Sequence, residues 1–286
     1  MSSSPIVFSN VDFFYADNHH EPGNPPEAAL RAAEKVTQVF SDLSLELPSG
    51  VISLVGQNGS GKSTLLLLAG ARLFPARGRV RLFGSDTREF VAAAEDPELE
   101  QRRNQVVSFV YQNMEFETRE PIGDLMEFVY ENGFHDDKHP GFLRELRQTL
   151  ELESLLTKRT QQLSKGELQR AIIAFSMLYG SRIIMMDEPV FALEEYQKHR
   201  VFELLTDFAE RTGTSVYYSA HELELTRKYS HYMALFHSSA EVRIGPTGEL
   251  YSKENIEEAY QVPMDLLHRK EGLYRESLLK LSRQRP

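Results

Sequence analysis

The sequence predicts an α/β fold, a largely parallel sheet with helices on its faces, and three observations carry that prediction. Short apolar, β-branched runs at 51–55, 182–187 and 214–219 are each followed by a stretch with helical spacing. Parallel strands need a crossover between them, and a helix is the usual one. The junction after the first run is the glycine-rich sequence Gly56-Gln57-Asn58-Gly59-Ser60-Gly61-Lys62-Ser63. The second run ends in Met186-Asp187-Glu188. A buried strand thus delivers two carboxylates at its carboxyl end, where open α/β sheets place their ligands.

Taken in order, residues 6–15 read as a strand with apolar and polar positions mixed. Residues 16–36 are polar and proline-rich and read as a surface loop with one short helix. His19-His20 within it lack the carboxylates of a metal site and read as solvated. Residues 39–47 alternate as a half-buried strand does, and Pro48-Ser49-Gly50 turns the chain into the run at 51–55. A helix follows at 63–69 and a strand at 78–84. From 88 to 162 the texture changes to Glu, Arg, Gln and Leu at helical spacing, as in 98–103 and 142–156, interrupted by an apolar strand at 106–111. Helix 166–179, strand 182–187, helix 194–211, strand 214–219 and helix 221–229 then restore the alternation. The division expected is an N-terminal β region with the first part of the core (1–87), an inserted α-helical subdomain (88–165), the rest of the core (166–245) and a C-terminal tail (246–286).

Composition narrows the function classes. The 286 residues are 41% hydrophobic and 26% charged, ordinary for a globular chain. A net charge of −10 argues against a nonspecific nucleic-acid binder, and no nucleic-acid partner is expected. The absence of cysteine excludes disulfides and thiolate metal sites. The first residues lack the charged and apolar regions of a signal peptide, and no run reaches the roughly 20 apolar residues of a membrane span. A cytoplasmic chain is expected, with any membrane association made through a partner.

The glycine-rich junction matches G-x-x-x-x-G-K-[ST], the phosphate-binding P-loop. In such a loop the backbone N–H groups of Gly56, Gln57, Asn58, Gly59, Ser60 and Gly61 cradle phosphate oxygens, and the following helix aims its N-terminus at them. Lys62 reaches the terminal phosphates as a mobile charge, Ser63 offers its hydroxyl to Mg2+, and Thr64 lies beside it. The competing reading is a glycine-rich turn with a surface lysine, and the further motifs argue against it. Asp187 is the expected Mg2+ ligand, and Glu188 the group that takes a proton from, or orients, a water attacking the terminal phosphate. Leu163-Ser164-Lys165-Gly166-Glu167 opens a helix, with Ser164 and Glu167 spaced as a capping box.

P-loop, LSKGE, a strand ending in Asp-Glu and then a lone His221 after a strand: this order resembles the ATP-binding cassette (ABC) ATPases, and the resemblance covers most of the chain. It implies a P-loop NTPase of RecA-like core with N-terminal antiparallel strands, binding ATP and Mg2+. It implies that Gln112, after the strand at 106–111, contacts Mg2+ or the attacking water, that His221 contacts the γ-phosphate, and that Tyr15 stacks on adenine, with Phe14 or Phe13 as the fallback. Two such chains pair head to tail, as a homo- or heterodimer, so that Ser164 and Gly166 of one complete the site of the other. The resemblance further implies a peripheral position on the cytoplasmic face of a membrane, against integral permease subunits and, in importers, an extracytoplasmic substrate-binding protein. The segments 248–255 and 259–263 look like the ending of ATPases serving iron–siderophore, haem and cobalamin importers. Met114, Phe116, Ile122, Leu125 and Met126 fall in the expected permease-docking zone, with burial in the helical subdomain as the competing reading. The basic stretch 268–285 is expected to form an amphipathic helix on the core. The alternative function is a soluble cassette ATPase of repair, translation or complex remodelling. Five positions depart from the family pattern: Lys165 stands for Gly and Glu167 for Gln in the signature, and in Val190-Phe191-Ala192-Leu193-Glu194, where the family shows Thr-Ser-Ala-Leu-Asp, Val190, Phe191 and Glu194 differ. Slow hydrolysis or pairing with a more typical partner is the expected consequence.

Overall fold

A computed structural model describes residues 4–16, 36–135, 139, 141–237 and 241–267. Most of the loop at 16–36, with His19-His20 and its expected helix, and the basic stretch 268–285 lie outside the described residues. In chain order the strands are β1 (Ile6–Ala16), β2 (Val36–Leu47), β3 (Val51–Gly56), β4 (Arg77–Leu82), β5 (Ser85–Asp86), β6 (Val107–Val110), β7 (Ile183–Met186), β8 (Ser215–Ser219), β9 (Tyr232–Phe236) and β10 (Val242–Pro246). The helices are α1 (Lys62–Ala69), α2 (Pro97–Val106), α3 (Ile122–Asn132), α4 (Phe142–Thr149), α5 (Lys165–Leu178), α6 (Glu195–Thr212), α7 (Leu223–Tyr229), α8 (Thr247–Leu250) and α9 (Lys253–Tyr260).

Two sheets form. The smaller is antiparallel in the order β2-β1-β4-β5, and the larger runs β10-β9-β3-β8-β7-β6. Its strands β9, β3, β8, β7 and β6 are parallel, and only β10 runs against its neighbour. Buried on both faces, β3, β7 and β8 read as continuous rather than alternating apolar runs. Alternate residues divide between two cores. Ile184, Met186, Val216 and Tyr218 face the cluster shared with α3, α5 and α6. Ile183, Met185 and Tyr217 face the cluster shared with α1 and the antiparallel sheet. The buried phenols find partners: Tyr217 donates to the Pro48 carbonyl at 2.7 Å, and Tyr218 lies 2.6 Å from the Ser230 hydroxyl.

The antiparallel sheet bends at a bulge around Asn10, where the pairing of β1 with both neighbours shifts. Asn10 has φ 50°, its N–H donates to Ser44 Oγ at 2.9 Å, and Gly78 of β4 crosses its backbone. Gly78 has φ +77°, and a Cβ there would lie 2.1 Å from the Asn10 carbonyl oxygen. Gly78→Ala therefore carries both a left-handed penalty and an overlap with backbone that cannot rotate away. The expected loss is about 3 kcal/mol, seen as a melting temperature lower by roughly 6–12 °C in a thermal scan.

The elements depart from the sequence expectation in three places. The helix expected over 142–156 ends at Thr149: Glu151 has φ 54°, and the Leu152 N–H returns to the Arg147 carbonyl at 2.8 Å. That stop turns the Glu151 carboxylate toward α6, where Gln197 (3.0 Å), Tyr196 (3.2 Å) and Arg200 (2.9 Å) donate to it. The strand expected at 106–111 forms as β6 but belongs to the central sheet rather than to an inserted helical subdomain, while α3 and α4 pack with α5. Strands β9 and β10 fall where no element was expected.

Register places the carboxyl ends of the parallel strands side by side. Val110 pairs with Met186, Met186 with Tyr218, and Leu54 with Ser219. The P-loop after β3, Asp187 and Glu188 after β7, His221 after β8 and Gln112 after β6 consequently leave one edge of the sheet.

Candidate active site

The P-loop closes onto the start of α1. Gly61 precedes the helix with φ 99°, and its Cβ would meet the Phe40 ring at 2.9 Å, so glycine alone suits the position. The first helical hydrogen bond runs from Leu65 N–H to Gly61 O at 2.8 Å, and no side chain caps the helix. The N–H groups of Lys62, Ser63 and Thr64 therefore lack helical acceptors, the condition for receiving an anion. Asn58, Gly59 and Ser63 are exposed, Gln57 and Ser60 half-buried, and Gly56, Gly61, Lys62 and Thr64 buried. Nothing lies within 4 Å of a Cβ at Gly59, and the buried Ser60 hydroxyl has no partner among the described residues. These features fit a phosphate chain. Gln57 donates its carboxamide to the Tyr260 carbonyl, tying the loop to α9.

Lys62 is folded back into its own loop. Its ammonium donates to the carbonyls of Gly56 and Gln57, at 2.8 Å each, and its side chain is buried. Burial pulls its pKa down to about 8, and the carboxylates of Glu188 and Asp187 oppose the fall.

The acid pair is held from several elements. Asp187 N–H continues the ladder to the Val110 carbonyl at 2.9 Å. The Ser219 hydroxyl donates to Asp187 Oδ1 at 2.6 Å and accepts the Glu188 N–H at 2.8 Å. Glu188 Oε1 lies 2.7 Å from His221 Nε2, and Gln112 Nε2 donates to Glu188 Oε2 at 2.8 Å. Glu188 takes φ 49°, a left-handed conformation that a non-glycine residue holds only when its surroundings impose it. The hydrogen bond to His221 holds the Glu188 carboxyl below its ordinary range against the cost of burial, with the charge of Lys62 adding to it. The carboxylate of Asp187 and the exposed hydroxyl of Ser63 are oxygen ligands of the kind a hard divalent cation takes. An anion cradle, a cation-binding carboxylate and an ionised base at one sheet edge suit hydrolysis of a phosphoanhydride.

Tyr15 lies near the end of β1, beside this site. Its hydroxyl is 3.2 Å from Thr64 Oγ1, and it meets the Phe13 ring edge-on at 5.0 Å. Of the three candidate aromatics it is the exposed one: Phe13 is buried and Phe14 half-buried. Ser164 and Gly166 are not part of this cluster. Ser164 caps α5, accepting from Glu167 N–H at 3.3 Å while Glu167 Oε2 accepts from Ser164 N–H at 2.7 Å. That backbone bond from Ser164 holds the Glu167 carboxyl below its ordinary range, opposed by burial and reinforced by Lys158. Gly166 packs on the Ala192 carbonyl, which a Cβ would meet at 3.0 Å, and Lys165 is exposed. Among the described residues no hydrogen bond or ion pair joins 164–166 to 56–64.

The stretch after Pro189 has a packing rationale. Val190 and Leu193 are buried in the core shared with α5 and α6, Phe191 is exposed, and Glu194 precedes α6 with its N–H bound to Gln197 Oε1 at 3.2 Å. Ile122 and Met126 are fully buried, and Met114, Phe116 and Leu125 are half-buried, so the apolar set around Gln112 is mainly core; the exposed apolar side chains nearby in sequence are Tyr111 and Phe128. Ser219 passed unnoticed in the sequence. Its only signal is a hydroxyl closing a fully buried strand two residues before His221.

Residues 40–191 match the family model described as ABC transporter. The nickel import ATP-binding protein NikO of Rhodobacter capsulatus is 30% identical over 230 residues, which are 78% of this chain and 89% of that protein. The lipoprotein-releasing system ATP-binding protein LolD of Anaeromyxobacter dehalogenans is 31% identical over 217 residues, 72% and 88% of the two chains. Among solved structures, a dimeric post-hydrolysis state of an ATP-binding cassette bound to ADP and Pi superposes with a TM-score of 0.66 at 22% identity, covering 85% of this chain and 98% of that one. The structure of cbiO1 from Clostridium perfringens gives 0.66 at 17% identity, covering 89% and 93%.

Proposed function

We propose, on the premise that this chain belongs to the ABC transporter family and is an ATP-binding ATPase, that it works as one half of a head-to-tail dimer driving a membrane transporter. One observation carries the catalytic part of the proposal: an ionised Glu188 held between Gln112 and His221, at the sheet edge that also bears the P-loop. In this reading the backbone of residues 56–61 holds the phosphates and Lys62 leaves its own loop carbonyls to meet them. Ser63 and Asp187, with Gln112, would hold Mg2+, which when bound neutralises charge on the terminal phosphates. Glu188 takes the proton of the attacking water, while His221 and Gln112 orient its carboxylate and face the γ-phosphate. Tyr15 offers its ring to adenine.

The separation of Ser164 and Gly166 from the chain's own loop supports their use in trans, completing the site of a second ATPase subunit. Two ATP molecules then bind the closed dimer better than the open one, and hydrolysis reverses that preference. Among the described residues no helix is long and apolar enough to cross a membrane. Attachment to the cytoplasmic face would therefore come from permease subunits, docked on the helical subdomain of segment 88–165, where Phe128 is 62% exposed. NikO is named for import and LolD for release; the resemblance of 248–263 to importer ATPases favours import and, with it, an extracytoplasmic binding protein.

Copurification tests the transporter reading. Tagged chain drawn from detergent-solubilised membranes is expected to bring down a polytopic membrane protein in stoichiometric amount. Recovery only in soluble, nucleic-acid-associated complexes would overturn it in favour of a cassette ATPase of repair or translation.

A further inference from the structure

We infer that Ser219 is a positioning residue for the acid pair, its single hydroxyl setting both the Asp187 carboxylate and the peptide from which Glu188 projects. This inference rests on the ATPase reading above. Ser219 closes β8 and is 1% exposed, among Tyr217, Tyr218 and Ala220, which are also buried. A hydroxyl has one proton. Here it goes to Asp187 Oδ1 at 2.6 Å, so a lone pair is left for the Glu188 N–H at 2.8 Å. The two bonds run in opposite senses and lock the rotor. One oxygen of Asp187 is thereby occupied, and the carboxylate is oriented with the other available to a cation. The Glu188 N–H, beyond the end of β7, receives its acceptor from this hydroxyl. Glu188 has a left-handed backbone, and its carboxylate is held by Gln112 and His221 at the far end. The hydroxyl holds the near end. An alanine at 219 leaves the half-buried Glu188 N–H without its acceptor and lets Asp187 turn, while touching neither the P-loop nor Lys62.

The test uses the full chain, in its membrane complex where one copurifies, with Ser219→Ala and the hydroxyl-retaining Ser219→Thr. ATP turnover is measured across ATP and Mg2+ concentrations. ATP affinity is measured with Mg2+ and in EDTA, in a Glu188→Gln background where turnover does not intrude, and melting is followed without nucleotide. For Ser219→Ala, kcat is expected to fall about 10- to 100-fold, as for loss of charge-assisted hydrogen bonds. The Mg2+ needed for half activation is expected to rise by about 3- to 10-fold, with KM for ATP and affinity in EDTA within about 3-fold of wild type. Ser219→Thr should recover most of the loss. If Ser219→Ala folds poorly, its turnover is normalised to the folded fraction and its Mg2+ requirement decides, because a merely structural hydroxyl predicts activity lost only in proportion to unfolded protein, with an unchanged Mg2+ requirement. That result, or an alanine variant equal to wild type in kcat and Mg2+ requirement, overturns the inference. A wild-type chain that binds ATP with Mg2+ yet shows no turnover overturns the ATPase reading instead.

Discussion

A Glu188→Gln chain is expected to bind ATP with Mg2+ and to turn it over about 10²- to 10⁴-fold more slowly than wild type, the usual worth of a general base. The substitution is close to isosteric. The carboxamide oxygen can still accept from Gln112 Nε2 at the site now 2.8 Å away, and the amide nitrogen takes the place of the oxygen that meets His221 Nε2. What disappears is the charge that accepts a proton. The loss should therefore fall on kcat, with ATP affinity within a few-fold and melting little changed. Steady-state turnover beside nucleotide binding by fluorescence separates these, and turnover within a few-fold of wild type would remove Glu188 from the chemistry. The acid limb of the wild-type profile gives a second check. The His221 hydrogen bond depresses the Glu188 pKa below its ordinary 4.5. A carboxyl depressed in the folded state is ionised, and contributes stability, above the ordinary value, and that contribution is lost as pH falls through the lower folded value. The acid limb of turnover limited by Glu188 should accordingly have its midpoint below pH 4.5.

Much of this site was legible because its chemistry is local in sequence. The P-loop compresses strand, turn and helix start into one stretch, and Asp187-Glu188 follow the apolar strand that carries them. Gln112 and His221 lie far away in sequence and were placed through the family pattern; parallel register is the physical reason they arrive together, since β6, β7 and β8 end level. Other features were illegible for equally physical reasons. Helical spacing continues through 142–156, yet Glu151 turns left-handed because its carboxylate finds three donors on α6, a tertiary contact that overrides local propensity. β9 is a short buried strand whose run, Tyr232-Met233-Ala234-Leu235-Phe236, carries no period to announce it. Of the two readings open for the apolar residues from Met114 to Met126, burial in the subdomain is the one the structure favours: Ile122 and Met126 are core residues of α3, and Met114 and Phe116 pack against the same core from the segment before it. Ser219 had no pattern around it, because what matters there is which atoms its hydroxyl reaches.

ATP binding is expected to take up a proton above about pH 8, and Lys62 is the residue that takes it. Without nucleotide the ammonium is buried against two neutral carbonyls, and burial brings its pKa from 10.5 to about 8. A lysine lowered in this way costs the fold stability where it is charged in both states, below pH 8. That cost fades as pH rises from 8 toward 10.5. The nucleotide-free chain should thus gain slightly on alkaline titration while its ATP affinity falls. The triphosphate returns anionic partners to the ammonium and restores its proton, so affinity should drop by up to about tenfold for each pH unit above 8. The terminal phosphate is fully ionised there and contributes no uptake of its own. Calorimetry in two buffers of different ionisation enthalpy reads the proton directly: near zero at about pH 7, approaching one at about pH 9.5. Lys62→Ala should abolish the uptake and weaken ATP binding about 100-fold or more, the scale of a lost charge-assisted contact to phosphate with its Coulomb support. Equal affinity and no proton at either pH would show that Lys62 does not meet the phosphates. The two predictions are coupled through one distance-dependent charge. The Glu188 carboxylate is the larger of the two that prop up the Lys62 pKa. Neutralising it in Glu188→Gln should therefore move the onset of proton uptake below pH 8, and an onset that stays in place would mean that base and lysine do not share a site.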